Sequence, residues 1–222
     1  MDDTEDGTDH PGRREEQLVP AWLAALVLVL LLAVAGLAGY AAHARLSPTG
    51  PRDAADIAVA KARASVEAHP SDLSAHLDLG FAYQLAGQYA EAIREYDIVL
   101  AKDPRNSAAT YNKGMAYFQL KDPKKAEELL WKVLKAEPTH ALAAKALGEY
   151  YAGKRQYKSL VVAVKPAADA RPDMADLQYL MGLAYENTGR GEWAIGRYRD
   201  ALKYVPDMPE ARAGLKRLGV AR

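Results

Sequence analysis

The feature that most constrains this 222-residue chain is a 34-residue period that runs through its C-terminal two thirds. Glycine, tyrosine and proline recur in register over four copies, at Gly80, Gly114, Gly148 and Gly182, at Tyr83, Tyr117, Tyr151 and Tyr185, and at Pro104, Pro138, Pro172 and Pro206. Alanine keeps the same interval at Ala92, Ala126 and Ala194, with Leu160 in the third copy. A period of this length indicates a stack of supersecondary units, because each unit has an apolar face that it does not bury alone.

Each copy is interpreted as two helices joined by a turn. The glycine lacks a Cβ atom, so the two helices of a unit can approach closely there. The tyrosine fills space between neighbouring helices, and the proline ends the unit because it has no N–H to continue a helix. The region shows no alternating, strand-like runs. The pattern therefore predicts an all-α fold, an α-solenoid of four 34-residue helix–turn–helix units.

These spacings resemble the tetratricopeptide-repeat family over residues 73–206. The family pattern places a large residue, Leu, Gly, Tyr, Ala, an aromatic residue, Ala and Pro at set offsets. The first copy matches it with His76, Leu79, Gly80, Tyr83, Ala92, Tyr96, Val99 and Pro104. The fourth copy matches it with Gln178, Met181, Gly182, Tyr185, Ala194, Tyr198, Ala201 and Pro206. The resemblance implies a binding module for other proteins, but the family has many unrelated partners.

The flanks and the third copy depart from the regular unit. Residues 53–70 end in Pro70, 34 residues before Pro104, and are predicted to form the second helix of a partial leading unit. Residues 207–222 are predicted to form a polar capping helix. In the third copy, Pro166 falls within the second helix and is expected to kink that helix or end it early.

The N-terminal quarter is expected to anchor the chain in a membrane. Residues 18–42 carry no charge, and roughly 20 apolar residues in a helix span the ~30 Å hydrocarbon core. Residues 1–17, with seven acidic and two basic side chains, are predicted to be a disordered acidic tail, and residues 43–52 a linker. The alternative for the apolar segment is a cleaved signal peptide, although the segment is longer than the apolar part of such signals.

The membrane orientation is not fixed by charge, because two arginines flank the apolar segment on each side. The short leader favours a single-pass protein of the bacterial cytoplasmic membrane, with its repeats on the outer, periplasmic side. The Ala- and Arg-rich composition is the reason for expecting a bacterial source.

Catalytic and cofactor chemistry find no support in the sequence. The five histidines do not form a metal-ligand spacing, cysteine is absent, and the glycines belong to the repeat instead of a phosphate loop. No nucleophile has a base beside it, and no basic stripe indicates nucleic-acid binding. We therefore predict a protein that is not an enzyme and has no cofactor, metal site or nucleic-acid partner.

The resemblance also predicts a binding groove. In the family, the second, fifth, ninth and twelfth positions of each first helix line a concave groove. Here these are Ser74, Leu77, Phe81 and Gln84; Ala108, Tyr111, Met115 and Phe118; Leu142, Lys145, Glu149 and Ala152; and Asp176, Tyr179, Leu183 and Glu186.

The chemistry of these positions excludes one known mode of the family. Members that bind chaperones hold a C-terminal carboxylate with Lys and Asn at the fifth and ninth positions, and here only Lys145 matches. The N-terminal half of the groove is instead apolar and aromatic, which suits an apolar helix or an extended peptide. The alternative is that the helix at 53–68 packs on this strip and fills it.

The sequence thus predicts a membrane-anchored scaffold or adaptor that binds a protein partner and assists assembly of a membrane-associated complex. Two alternatives remain at this point. One is an accessory role in cytochrome c maturation or secretion, which the architecture resembles. The other is a structural role as a self-associating membrane homo-oligomer.

Overall fold

The computed structural model describes residues 49–220, together with Leu30 and Val34. Leu30 and Val34 are helical and more than half exposed. The acidic tail, most of the expected membrane segment and residues 43–48 of the linker lie outside the described residues. Among the described residues, no helix has the length and apolar character to cross a membrane.

Residues 49–220 form ten α-helices, and this part of the chain contains no strand. The helices are α1 (Thr49–Ala68), α2 (Leu73–Leu85), α3 (Tyr89–Lys102), α4 (Ser107–Gln119), α5 (Pro123–Ala136), α6 (Ala141–Gly153), α7 (Tyr157–Ala170), α8 (Ala175–Asn187), α9 (Gly191–Tyr204) and α10 (Pro209–Arg217). The pairs α2/α3, α4/α5, α6/α7 and α8/α9 are the four helix–turn–helix units. The prediction of an all-helical solenoid is therefore confirmed.

The turn inside each unit follows a periodic backbone motif. The second residue after each first helix has a positive φ. These residues are Gly87, Lys121, Arg155 and Gly189, spaced 34 residues apart. The next residue donates its N–H back to the carbonyl of the periodic tyrosine, at 2.8 Å for Gln88 to Tyr83 and 2.8 Å for Arg190 to Tyr185. This bond is the six-residue closure of a Schellman motif, which satisfies helix-end carbonyls. The motif ends each first helix at the same position and sets the return direction of the second.

Two of the periodic glycines allow a tyrosine to fill the unit. A Cβ atom added at Gly80 would lie 2.5 Å from Cε1 of Tyr96, and one at Gly182 would lie 2.6 Å from Cδ1 of Tyr198. Both tyrosine side chains are completely buried. The expectation that glycine permits close approach within a unit therefore agrees with the contacts in the first and fourth units.

The expectation about Pro166 was wrong in one respect. Helix α7 does not end early, because it continues through Pro166 to Ala170 and has the same 14 residues as α5 and α9. Proline removes one helix hydrogen bond, the one that would reach the carbonyl of Val162. Both residues are on the exposed side of the helix, where water can bind that carbonyl, while Val164 and Ala167 on the other side are fully buried.

The leading helix begins at Thr49, four residues before the expected start at Asp53. Pro51 falls in the first turn, where a missing N–H removes no helix bond, so the Pro and Gly of the expected linker do not prevent helix formation. Helix α1 packs on the first unit through Val59, and the Arg63 guanidinium donates to the Tyr83 hydroxyl at 3.0 Å.

Candidate functional site

The first helices of the four units share one solvent-facing side. None of the sixteen side chains at their second, fifth, ninth and twelfth positions is buried. The third, fourth, eighth and eleventh positions are mostly buried, as in α2 with Ala75, His76, Gly80 and Tyr83. We call the sixteen residues together the first-helix surface. Its existence follows from the 3.6-residue helix period, which places these positions on one side.

Contacts between successive first helices make this surface continuous. The rings of Phe118 on α4 and Tyr150 on α6 are 5.4 Å apart. Lys145 on α6 donates to Asp176 on α8 at 2.5 Å. Each first helix from α4 onward thus touches the next one through side chains at or beside the predicted positions.

The N-terminal part of the surface, which we call the apolar half, contains Leu77, Phe81, Tyr111, Met115 and Phe118. Phe81 is 52 % exposed. Tyr111 and Phe118 are partly buried against the larger core cluster, and Leu77 against the smaller one. Burial is the main cause that raises the pKa of Tyr111. The apolar half is therefore partly core and partly free surface.

Helix α1 leaves Phe81 half exposed. The contacts of α1 go to the Tyr83 hydroxyl and to the core cluster around Val59, and Leu77 is packed at the edge of that cluster. Tyr83 faces the opposite side of α2 from Phe81, because it is among the buried residues of the helix. Within the strip, Leu77 is therefore packed against the cluster that contains Val59 of α1, while the Phe81 side chain remains 52 % exposed.

The C-terminal part, which we call the charged half, contains Lys145, Glu149, Tyr179, Leu183 and Glu186. The Asp176 carboxylate holds the Lys145 ammonium and is the main cause that raises the pKa of Lys145. Two oxygens of Glu186 accept from Arg217 at 2.6 and 2.8 Å, and this pairing is the main cause that lowers the pKa of Glu186. Most charges of this half are thus neutralised within the chain.

The twelfth position has a structural task in the outer units. Gln84 accepts a hydrogen bond from the Tyr96 hydroxyl at 2.7 Å, and Glu186 accepts one from the Tyr198 hydroxyl at 2.5 Å. Burial is the first cause that raises the pKa of both tyrosines. The structure therefore places these two predicted site residues in the support of buried tyrosines, where they are less available to a partner.

Two residues that the spacing did not single out belong beside the apolar half. Leu85 is 61 % exposed and follows Phe81 by one helical turn, so it extends the same stripe of α2. Tyr150 supports Phe118 from the next first helix. A search for apolar residues at four-residue intervals could have found Leu85, whereas Tyr150 occupies a position that the family pattern does not assign to the groove.

No group of three or more His, Asp or Glu side chains in residues 49–220 is placed to hold a metal ion. Two of the three carboxylates of the first-helix surface, Asp176 and Glu186, are closely paired with the cations of Lys145 and Arg217. The arrangement offers exposed apolar area with charged side chains beside it.

Comparison with known proteins agrees with this geometry. A family model described as a tetratricopeptide repeat matches residues 77–141. A crystal structure of MamA has 22 % identity and a TM-score of 0.60, covering 71 % of this chain and 92 % of its own. The structure of YrrB, "a TPR protein with an unusual peptide-binding site", has 21 % identity and a TM-score of 0.57, covering 76 % and 87 %.

The search of curated proteins found no significant match. The matching chains of solved structures number 135, so the fold is common and does not by itself select a function. What the likeness shows is that residues 49–220 have the tetratricopeptide-repeat fold.

Proposed function

We propose that this chain is a tetratricopeptide scaffold that binds a protein partner through the first-helix surface and does no chemistry of its own. Its apolar half contacts the partner, and residues 18–42 anchor the scaffold to the cytoplasmic membrane. It thereby brings its partner to a membrane-associated complex.

The observation that carries the proposal is the exposure of Phe81 and Leu85 on one stripe of α2, at 52 % and 61 %. Two neighbouring large apolar side chains that stay exposed on one stripe of a helix are typical of a binding surface. Met115 continues the surface on the next first helix and is only partly buried. A similar fold carries a peptide-binding site in YrrB, which supports a peptide-like partner here.

The membrane part of the proposal rests on the sequence. An uncharged segment of 25 residues, 18–42, is long enough to cross a bilayer. Alkaline extraction of membranes that contain the full chain tests it. An anchored chain stays in the membrane pellet, whereas a chain from which residues 18–42 are deleted is released.

Site-specific photo-cross-linking of the full chain in its native membranes tests the binding surface. A photoreactive phenylalanine analogue replaces Phe81 in one variant and Ile98 in a matched control. Ile98 is also an exposed apolar residue, at 41 %, but it belongs to the second helix of the same unit.

We expect a defined adduct from position 81 and none from position 98. Adducts from both positions, or from position 98 alone, would contradict binding at the first-helix surface. Phe81 is a better position than Tyr111 or Phe118, because these two also pack against the core and their replacement would disturb folding.

A further inference from the structure

Most charged side chains of the first-helix surface are paired within the chain, but one carboxylate is left exposed, and its charge limits which partner the surface can bind. Lys145 and Asp176 hold each other at 2.5 Å, and Glu186 holds Arg217 at 2.6 Å. Glu149 is different, because its side chain is 60 % exposed and its closest cation among the described residues is Lys145, 3.8 Å away. Since Lys145 already binds Asp176 more closely, Glu149 retains most of its negative charge for a partner.

Glu149 lies directly beside the apolar half. It occupies the ninth position of α6, as Met115 does on α4 and Phe81 on α2. Its charge also contributes to the raised pKa of Tyr111, after the larger effect of burial, so the carboxylate lies near that hydroxyl. The three ninth positions thus form a row in which two apolar side chains are followed by one exposed carboxylate.

We infer, on the basis of the proposed function, that the partner is an extended segment with two large apolar side chains followed by a lysine or arginine that pairs with Glu149. Packed helices lie about 8–10 Å apart, and an extended chain advances about 3.3 Å per residue. Two side chains of the partner segment that are about three residues apart can therefore contact the ninth positions of two neighbouring first helices. The segment has the pattern apolar–x–x–apolar–x–x–basic, in one chain direction or the other.

The same charge argues against occupation by the chain's own acidic tail. Residues 1–17 hold seven acidic and two basic side chains, so Glu149 would repel them. A basic partner segment has the complementary sign. Rim charges mainly set selectivity and association rate, so the apolar half is expected to supply most of the affinity.

Selection of displayed random 12-residue peptides on the full chain in detergent micelles tests the inference. Four proteins are compared, namely the unsubstituted chain, Glu149→Lys, Phe81→Ser and the matched control Glu128→Lys. Glu128 is an exposed carboxylate on the second helix α5, away from the first-helix surface.

On the unsubstituted chain and on Glu128→Lys we expect peptides with the stated spacing and a Lys or Arg. On Glu149→Lys we expect the apolar pair to remain while the basic preference disappears or turns acidic. A selected peptide should bind Glu149→Lys about 10-fold more weakly, since attraction is replaced by repulsion. Changing its basic residue to Glu should restore the affinity.

Three results would overturn the inference while the proposed function stands. One is a selected pool with apolar residues but no basic preference, or one whose basic preference survives in Glu149→Lys. Another is a gain of more than about 10-fold in peptide binding on deletion of residues 1–17, which would assign the surface to the tail. The third is a dimer in sedimentation that Phe81→Ser dissociates, which would assign it to a second copy. Failure to select any peptide, or selection that Phe81→Ser leaves unchanged, would instead overturn the proposed function and the inference with it.

Discussion

The two halves of the first-helix surface use the same helix positions for different purposes. In the charged half, Lys145 pairs with Asp176 and Glu186 pairs with Arg217, which fixes α6 to α8 and α8 to the last helix, α10. In the apolar half, Phe81 and Met115 make no such ties and keep part of their surface exposed. The same helix positions therefore hold side chains that are paired within the chain in one half and side chains that stay partly exposed in the other. The chemistry of each side chain decides between the two.

The largest expected difference between the halves concerns the periodic glycine. In the fourth unit, beneath the charged half, a Cβ atom at Gly182 would lie 2.6 Å from the ring of Tyr198. Gly214 packs closely against the other edge of the same ring. The ring has no room to move, so Gly182→Ala should lower the free energy of unfolding by about 3 kcal/mol. Urea unfolding of the full chain in one detergent, followed by circular dichroism, measures the change.

The matched substitution is Gly114→Ala in the second unit, beneath the apolar half. There the added Cβ atom would meet Leu130 at 3.3 Å, and a leucine side chain can shift by a few tenths of an ångström. Alanine also favours the helix by roughly 1 kcal/mol, so the net change should stay within about 1 kcal/mol. Equal losses in the two variants would contradict the contrast between the units.

The next largest difference in stability is expected between substitutions of two carboxylates, Glu186 and Glu149. Glu186→Ala removes the acceptor of the fully buried Tyr198 hydroxyl, and an unpaired buried hydroxyl costs about 2 kcal/mol. Within residues 49–220 the nearest cation to the exposed Glu149 carboxylate is Lys145, 3.8 Å away, so Glu149→Ala should change stability by less than about 0.5 kcal/mol. The same unfolding measurement separates the two, and a larger loss from Glu149→Ala would contradict its assignment to partner binding.

A smaller, pH-dependent effect is expected in the first unit, beneath the apolar half. His76 is buried between two acceptors, with Nδ1 2.7 Å from the Glu95 carboxylate and Nε2 3.1 Å from the Pro70 carbonyl. Burial lowers the pKa of His76, but the bonds to Glu95 and Pro70, with the charges of Glu95 and Asp72, outweigh it and leave the pKa above 6.5. Both ring nitrogens must carry a proton to donate to two acceptors.

Because the folded pKa of His76 is above its unfolded value, the protonated ring stabilises the fold below the unfolded pKa. This contribution is lost as the pH rises through the folded pKa. The urea concentration at the midpoint of unfolding should therefore decrease as the pH rises above the unfolded pKa of about 6.5, and a His76→Gln variant should show a flatter dependence. Hydrogen exchange of α2 and α3 locates the effect, and an unchanged slope in the variant would contradict it.

The smallest expected change in stability comes from Phe81→Ser. Since Phe81 is half exposed, the substitution should alter the free energy of unfolding by about 0.5 kcal/mol or less while removing partner contact. Unfolding and cross-linking measured on the same preparation check both parts. A loss of stability comparable to that of Gly182→Ala would show that the apolar half is core throughout.

The sequence alone determined the helical fold and the number of units, because a 34-residue period is a property of spacing and does not depend on distant contacts. The resemblance to the tetratricopeptide-repeat family supplied the expected groove positions of each first helix. The sequence could not reveal that Lys121 and Arg155 take the left-handed turn position held elsewhere by glycine, because the Schellman bonds around them override the usual preference.

Only the tertiary structure decided which residues of the first-helix surface are used in contacts within the chain. Gln84 and Phe81 hold equivalent groove positions in the sequence, yet the Gln84 side chain accepts a hydrogen bond from the Tyr96 hydroxyl while the Phe81 side chain stays 52 % exposed. Pro166 reads as a helix end, yet the buried side of α7 holds the helix together across it. These outcomes depend on contacts between different helices, and the spacing of residues within one helix does not record such contacts.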